Sequence, residues 1–194
     1  MLDVDKYILE NYYQSRGFLT ARVVDIEVDT DPETQDMSVC YHIDEGAVFT
    51  VNRISAPGND ILTEEQLLSV LPIEVGQLYS KEFIRESMDR LRSIWGRYGY
   101  IYADIEPIII PNFETQTVDI TFNSELGNTY FLNRITILGN KKTREYVVRR
   151  NLTLIEGELV SLPGMEASKA RIAGLGYFDP KDGVEWKITK VSDS

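Results

Sequence analysis

The chain is poor in the residues that carry most chemistry. Its 194 residues include one cysteine, Cys40, and one histidine, His42. A lone cysteine closes no disulfide within the chain, and His42 has no cysteine partners with which to hold zinc. Cys40 sits among Val39, Tyr41 and Ile43 in a strand-like run, where a small buried hydrophobe is the expected role, and His42 is expected to be structural there. Gly-x-Ser-x-Gly, a Walker loop and a dinucleotide fingerprint are all missing. No convergent catalytic set remains, so neither enzyme activity, nor a cofactor, nor a metal is expected. No run approaches the roughly 18 apolar residues of a membrane-spanning helix. The opening Met1-Leu2-Asp3-Val4-Asp5 is acidic and has no signal-peptide core. Any targeting segment of a parent protein is expected outside these residues.

Basic charge is scarce as well, with 20 Lys and Arg against 31 Asp and Glu, a net charge of −11. Such a chain repels phosphate backbones and anionic surfaces, so no nucleic-acid partner is expected. The local exception, Lys141-Lys142 with Arg144, Arg149 and Arg150, reads as a solvated helix face. The acidic group Asp29, Asp31, Glu33 and Asp36 lacks the glycine and terminal glutamate of an EF-hand loop and reads as a hairpin turn.

What is present is a repeat. Gly46, Phe49, Asn52, Arg53, Ile54, Gly58 and Asn59 recur 81 residues later as Gly127, Tyr130, Asn133, Arg134, Ile135, Gly139 and Asn140. Ile73-Glu74-Val75-Gly76 is answered by Ile155-Glu156-Gly157, and Ser80 by Ser161. A glycine–aromatic pair occurs three times, as Gly17-Phe18, Gly99-Tyr100 and Gly176-Tyr177. Coincidences at one offset mark a repeated structural unit.

The unit has a physical reading. Residues 49–55 and 130–138 alternate apolar and polar, as a half-buried strand does, and Gly58-Asn59 and Gly139-Asn140 follow as turns. Thr63 with Gln66 forms a capping box for a short helix whose apolar face is Leu67, Leu68 and Leu71. Thr143 is the cap expected next, with Tyr146 and Val147 behind it. Gly76 and Gly157 break the chain, and Ser80 caps a second helix. Ile84, Met88, Leu91, Trp95 and Tyr98 recur at helical spacing, and Gly99 ends that helix. Residues 102–110 and 116–123 then form a hairpin. The order β-α-α-β-β gives a three-stranded sheet with two helices on one face, an α+β class.

The chain ends do not coincide with unit ends. Residues 1–45 offer a helix over 4–16 and a hairpin of 22–29 with 37–43. Residues 46–126 offer a whole unit. Residues 127–194 offer a first strand, two helices and one hairpin strand, 184–191, with the last strand truncated.

These motifs resemble the polypeptide-transport-associated (POTRA) domain, the resemblance covering nearly the whole chain. Gly139-Asn140-Lys141-Lys142-Thr143-Arg144, Val148-Arg149-Arg150, Ile155-Glu156-Gly157-Glu158 and Leu175-Gly176-Tyr177-Phe178 are similar to the barrel-proximal member of such arrays in outer-membrane β-barrel assembly factors. The resemblance implies a periplasmic arm of an outer-membrane protein. Its implied partners are unfolded outer-membrane β-barrel proteins, accessory lipoproteins and the parent's own C-terminal β-barrel. A two-partner secretion transporter or an organelle import channel is the alternative. It also implies a mechanism, in which extended clients add as strands to exposed sheet edges. The candidate edges are Val23, Val24, Asp25, Ile26, Glu27 and Val28, and Glu185, Trp186, Lys187 and Ile188. In the middle unit Pro107 lacks an amide and blunts the edge. The turns and caps that hold the units are Gly17, Gly58, Asn59, Gly76, Gly99, Gly139, Asn140, Gly157 and Gly176.

Overall fold

The computed structural model describes residues 2–32, 34, 36–179 and 183–191. It is an α+β chain of two compact units, one from Met1–Leu91 with Ile105–Ser124, the other from Arg92–Asp104 with Glu125–Ser194.

In the first unit, α1 (Leu2–Gln14) buries none of its residues, and Val4, Tyr7, Ile8 and Tyr12 all face solvent. Strands β1 (Arg22–Thr30) and β2 (Met37–Asp44) pair antiparallel, with a register shift between Val23 and Asp25 that marks Val24 as a bulge. Cys40 is exposed, contrary to the expectation of a buried residue. The strand period of two explains this: Cys40 shares its face with Ser38 and His42, not with Val39, Tyr41 and Ile43. His42 is exposed too, its Nε2 3.3 Å from Glu27 Oε1 and 4.0 Å from Cys40 Sγ. In the acidic turn Asp31, Thr34 and Asp36 bond to one another, while Glu33 lies outside the described residues.

The same unit holds a three-stranded sheet in the order β3-β5-β4, from β3 (Thr50–Ser55), β4 (Asp104–Asn112) and β5 (Thr117–Glu125). β5 is central and runs parallel to β3, from Thr50↔Thr117 to Ser55↔Thr121. The hairpin turns because Asn112 Oδ1 accepts from the Glu114 and Thr115 amides, and Gln116 takes φ 53°. Helix α2 (Glu64–Leu68) carries the complete capping box between Thr63 and Gln66. Ser80 Oγ accepts the Phe83 amide at 3.5 Å, capping α3 (Lys81–Gly96). Phe49, Val51, Leu67, Leu91, Ile105, Val118, Ile120 and Phe122 form the core, each almost sealed from solvent. Val118, Ile120 and Phe122 alternate along β5, as a strand with one buried face requires.

The second unit is built on the end of α3 and on α4 (Glu145–Arg149) and α5 (Leu162–Ala173), around Trp95, Ile135, Val148, Val160, Met165 and Ile172. Three expectations fail here. Residues 130–138 and 184–191 form no strand beyond an isolated bridge, Phe131↔Leu159. In the first unit both flanking strands pair with the central β5. No described segment takes that central place in the second unit, so the two flanks have no ladder to join. The cap of α4 is Arg144, without a side-chain bond, rather than Thr143. The offset of 81 places Arg144, not Thr143, opposite Thr63. Tyr98 is exposed, because α3 ends at Gly96, before the helical stripe reaches it.

Candidate functional site

The repeat converges on two joints, each where a glycine-terminated helix end meets the first strand segment of the next repeat. In the first unit the Phe49 amide donates to the Gly17 carbonyl at 2.8 Å. In the second the Tyr130 amide donates to the Gly99 carbonyl at 3.1 Å. A second layer of bonds repeats behind them. Val51 N–H reaches Gln77 C=O at 2.8 Å and Leu132 N–H reaches Glu158 C=O at 2.7 Å. Gly76 N–H returns to Val51 C=O at 2.7 Å, and Gly157 N–H to Leu132 C=O at 2.6 Å. The joints are therefore the same backbone structure built twice.

Glycine is required at the donor-facing carbonyl for two reasons. Gly17 has φ +102° and Gly99 φ +85°, a region L side chains rarely enter. A Cβ on Gly17 would lie 2.9 Å from Val48 and 3.6 Å from Leu78; one on Gly99 would lie 2.8 Å from Leu159 and 3.4 Å from Thr129. Val48 and Thr129, like Leu78 and Leu159, are 81 residues apart. Of the other sequence-selected turns, Gly76, Gly139, Gly157 and Gly176 also have positive φ. Gly58 does not, and is instead pressed against the Leu62–Glu64 backbone. Asn59 Oδ1 accepts the Ile61 and Leu62 amides, and Asn140 Nδ2 donates to the Thr143 carbonyl.

Side chains distinguish the joints. In the first, Lys81 Nζ donates to Gln14 Oε1 at 2.8 Å, and Gln14 Nε2 donates to the Ala21 carbonyl. Burial, followed by the nearby Glu45 carboxylate, pushes the Tyr13 phenol pKa up. In the second, the matching pair is Leu162 and Gly96, and Leu162 packs where a Gly96 side chain would stand. The Tyr102 and Tyr130 rings meet edge to face at 5.2 Å, with Lys190 Nζ 4.4 Å from the first centroid and 5.3 Å from the second.

The candidate edges are less open than their sequences imply. On β1 the Val23 amide donates to Glu10 Oε1 at 3.0 Å, and the Ile26 amide to Asp25 Oδ1 at 2.9 Å. Val24 and Val28 are exposed, Ile26 is half-buried, and Glu27 faces His42. In the second unit Trp186 Nε1 donates to the Met165 carbonyl at 3.1 Å, tying its segment to α5, while Glu185, Lys187 and Ile188 face solvent. On β4 both Pro107 and Pro111 lack amides. Glu10, Asp25 and the Gln14–Lys81 pair were not legible in sequence. The offset of 81 could have exposed the joint contacts of Leu78 and Leu159.

Among the described residues no His, Cys, Asp or Glu cluster could hold a metal, and no helix is long and apolar enough to cross a membrane.

A βααββ unit whose joint backbone is built again in the next repeat defines a tandem-module α+β protein. A family described as "POTRA: Surface antigen variable number repeat" matches residues 1–46, 49–125 and 130–190, and the chain belongs to it. It is 30% identical over 178 residues to the outer membrane protein assembly factor BamA of Neisseria meningitidis, covering 91% of this chain and 22% of that protein. It is 27% identical over 189 residues to that of Neorickettsia risticii, covering 96% of this chain and 25% of that one. The chain thus spans about a quarter of these relatives. The BamA POTRA3-5 structure of Haemophilus influenzae shares its fold, with a TM-score of 0.83 at 19% identity over 100% of this chain and 75% of that one.

Proposed function

We propose that the chain is part of the periplasmic arm of an outer-membrane protein assembly factor, divided into modules at 1–45, 46–126 and 127–194. The observation that carries this reading is the identity to the Neisseria meningitidis assembly factor over 91% of the chain. In this reading the arm receives unfolded outer-membrane β-barrel proteins, docks accessory lipoproteins and delivers clients toward the parent's own barrel. It is a scaffold, not an enzyme.

The contact is β-augmentation. A client strand lies along β1 and bonds to main chain, so many sequences are accepted. Each bond contributes about 0.5–1.5 kcal/mol net, and ordering the client offsets much of the sum. Contact is therefore weak and reversible, which suits hand-over. Glu10 and Asp25 occupy two β1 amides and narrow the receptive edge toward Val28. The segment holding Glu185, Trp186, Lys187 and Ile188 is a second receptive stretch.

The test uses a peptide copied from an outer-membrane barrel strand, read by fluorescence anisotropy. Proline placed singly along Val23–Val28 removes donors; the variant at Val28 should weaken binding about tenfold, the worth of one bond. Asp25→Ala frees the Ile26 amide and should tighten it. Unchanged affinity in both would remove β1 as the client edge.

A further inference from the structure

One element occurs twice with opposite chemistry. After the first strand segment of each repeat the chain passes Gly58-Asn59 or Gly139-Asn140, turns, and enters a five-residue helix, α2 or α4. The backbones correspond closely. The residue after each helix, Ser69 or Arg150, donates its amide to carbonyls of Glu65 and Leu67, or of Tyr146 and Val148, again 81 apart. The exposed side chains do not correspond. Asp60, Ile61, Thr63, Glu65 and Ser69 in the middle repeat become Lys141, Lys142, Arg144, Tyr146 and Arg150 in the last. Because the acidic set supports the same backbone, the basic set is not a requirement of folding.

Charge follows the same division along the chain. Residues 1–126 hold nine Lys and Arg against 23 Asp and Glu; residues 127–194 hold eleven against eight. Glu145 and Glu156 are both engaged by Arg149, at 2.7 and 3.4 Å. Among the described residues no carboxylate pairs with Lys141, Lys142, Arg144 or Arg150. Beside these cations Leu138 is 85% exposed and Tyr146 61%. Tyr146 and Arg150, four residues apart, share one face of the helix.

The geometry points to a docking surface for an anionic lipid bilayer, formed by the 138–150 loop and helix. Lysine and arginine reach lipid phosphates, tyrosine sits at headgroup depth, and an unsupported leucine enters the acyl boundary. An acidic protein would satisfy the cations but leave no role for Leu138. A nucleic acid would likewise satisfy the cations and leave no role for Leu138. The surface stands independently of the assembly reading, since lipid binding is measured without any client.

The test is sedimentation of the 194-residue chain with phosphatidylcholine vesicles, with or without phosphatidylglycerol. Binding is expected only with phosphatidylglycerol and should fall with added salt. Each cation near an anionic surface is worth about fivefold, so Lys141→Gln/Lys142→Gln/Arg144→Gln should lose on the order of a hundredfold. Leu138→Ser should lose about tenfold without changing the salt dependence. Asp60→Asn/Glu65→Gln, on the matching element of the middle repeat, should change little, with folding of every variant checked by circular dichroism. Equal binding to both vesicles, full binding by the triple variant, or an equal effect from the middle-repeat variant would overturn the surface. So would capture of polyglutamate by the same lysines with no capture of vesicles.

Discussion

The first joint, around Gly17, and the second, around Gly99, share a backbone and differ in nearly every flanking side chain. Both use one amide-to-carbonyl bond from an aromatic residue to a helix-terminal glycine, at 2.8 and 3.1 Å. The first is then fastened by polar groups, Lys81 to Gln14 and Gln14 to the Ala21 carbonyl. The second is fastened by apolar contact, with Leu162 against Gly96 and two tyrosines edge to face. The shared part specifies the direction of the chain; the differing parts set how firmly each joint is held. Polar bonds at a wet surface exchange readily with water and contribute about 1 kcal/mol. Leu162 is half-buried and gains part of the about 1.5–3 kcal/mol of a fully buried leucine, in a contact that water does not replace. The second joint should therefore open less often than the first in native-state hydrogen exchange.

The largest effect is expected at the shared glycines. Gly99→Ala forces a Cβ into positive φ, at about 1–2 kcal/mol, and into Leu159, at about 1–3 kcal/mol more. Urea unfolding should show a loss of about 2–4 kcal/mol, and Gly17→Ala a similar loss, with hydrogen exchange assigning each to its own unit. Loss at only one glycine would break the equivalence of the joints. Loss at neither would remove the glycine bond as their common device.

A smaller effect separates the joints. Gly96→Ala gains up to about 1 kcal/mol of helix propensity but sets a methyl 2.6 Å from Leu162, so it should destabilise by about 1 kcal/mol net, taking overpacking at about 1–3 kcal/mol. In a Leu162→Ala background the same change should become stabilising, and that reversal of sign is the measurement. The matching change in the first joint, Gln14→Ala, should cost about 1 kcal/mol through lost hydrogen bonds and should show no reversal.

Much of this was legible in the chain. The offset of 81 residues gave the repeat, Thr63 with Gln66 gave α2, and the glycine–aromatic pairs marked the helix ends. What sequence did not yield depends on partners distant in the chain. Alternation over 130–138 states which residues a strand would bury, but a strand also needs a neighbour. The neighbour in the middle repeat is β5, some 65 residues after β3. Cys40 failed for a related reason. Its apolar neighbours occupy the opposite face, and a local average of hydropathy hides that alternation. The capping of β1 by Glu10 is tertiary and leaves no local signature.

The smallest effect concerns how each repeat holds its first segment. Ile54 lies in a ladder opposite Ile120. Its counterpart Ile135 has no ladder, and side chains take that role: its amide donates to Glu156 Oε1 at 2.8 Å and its carbonyl accepts from Arg149 Nη2 at 3.2 Å. The Ile135 amide, followed by Arg149, holds the Glu156 carboxyl below its usual pKa. A depressed carboxylate pKa adds stability that is present above the unfolded value, about 4.3 for glutamate, and lost as pH falls through the lower folded value. The second unit should therefore weaken on acidification below that point, measured as the urea midpoint against pH. Glu156→Gln should remove this acid-dependent component while lowering stability at neutral pH. An acid limb that survives Glu156→Gln would mean that the first segment of the last repeat is held by something other than this carboxylate.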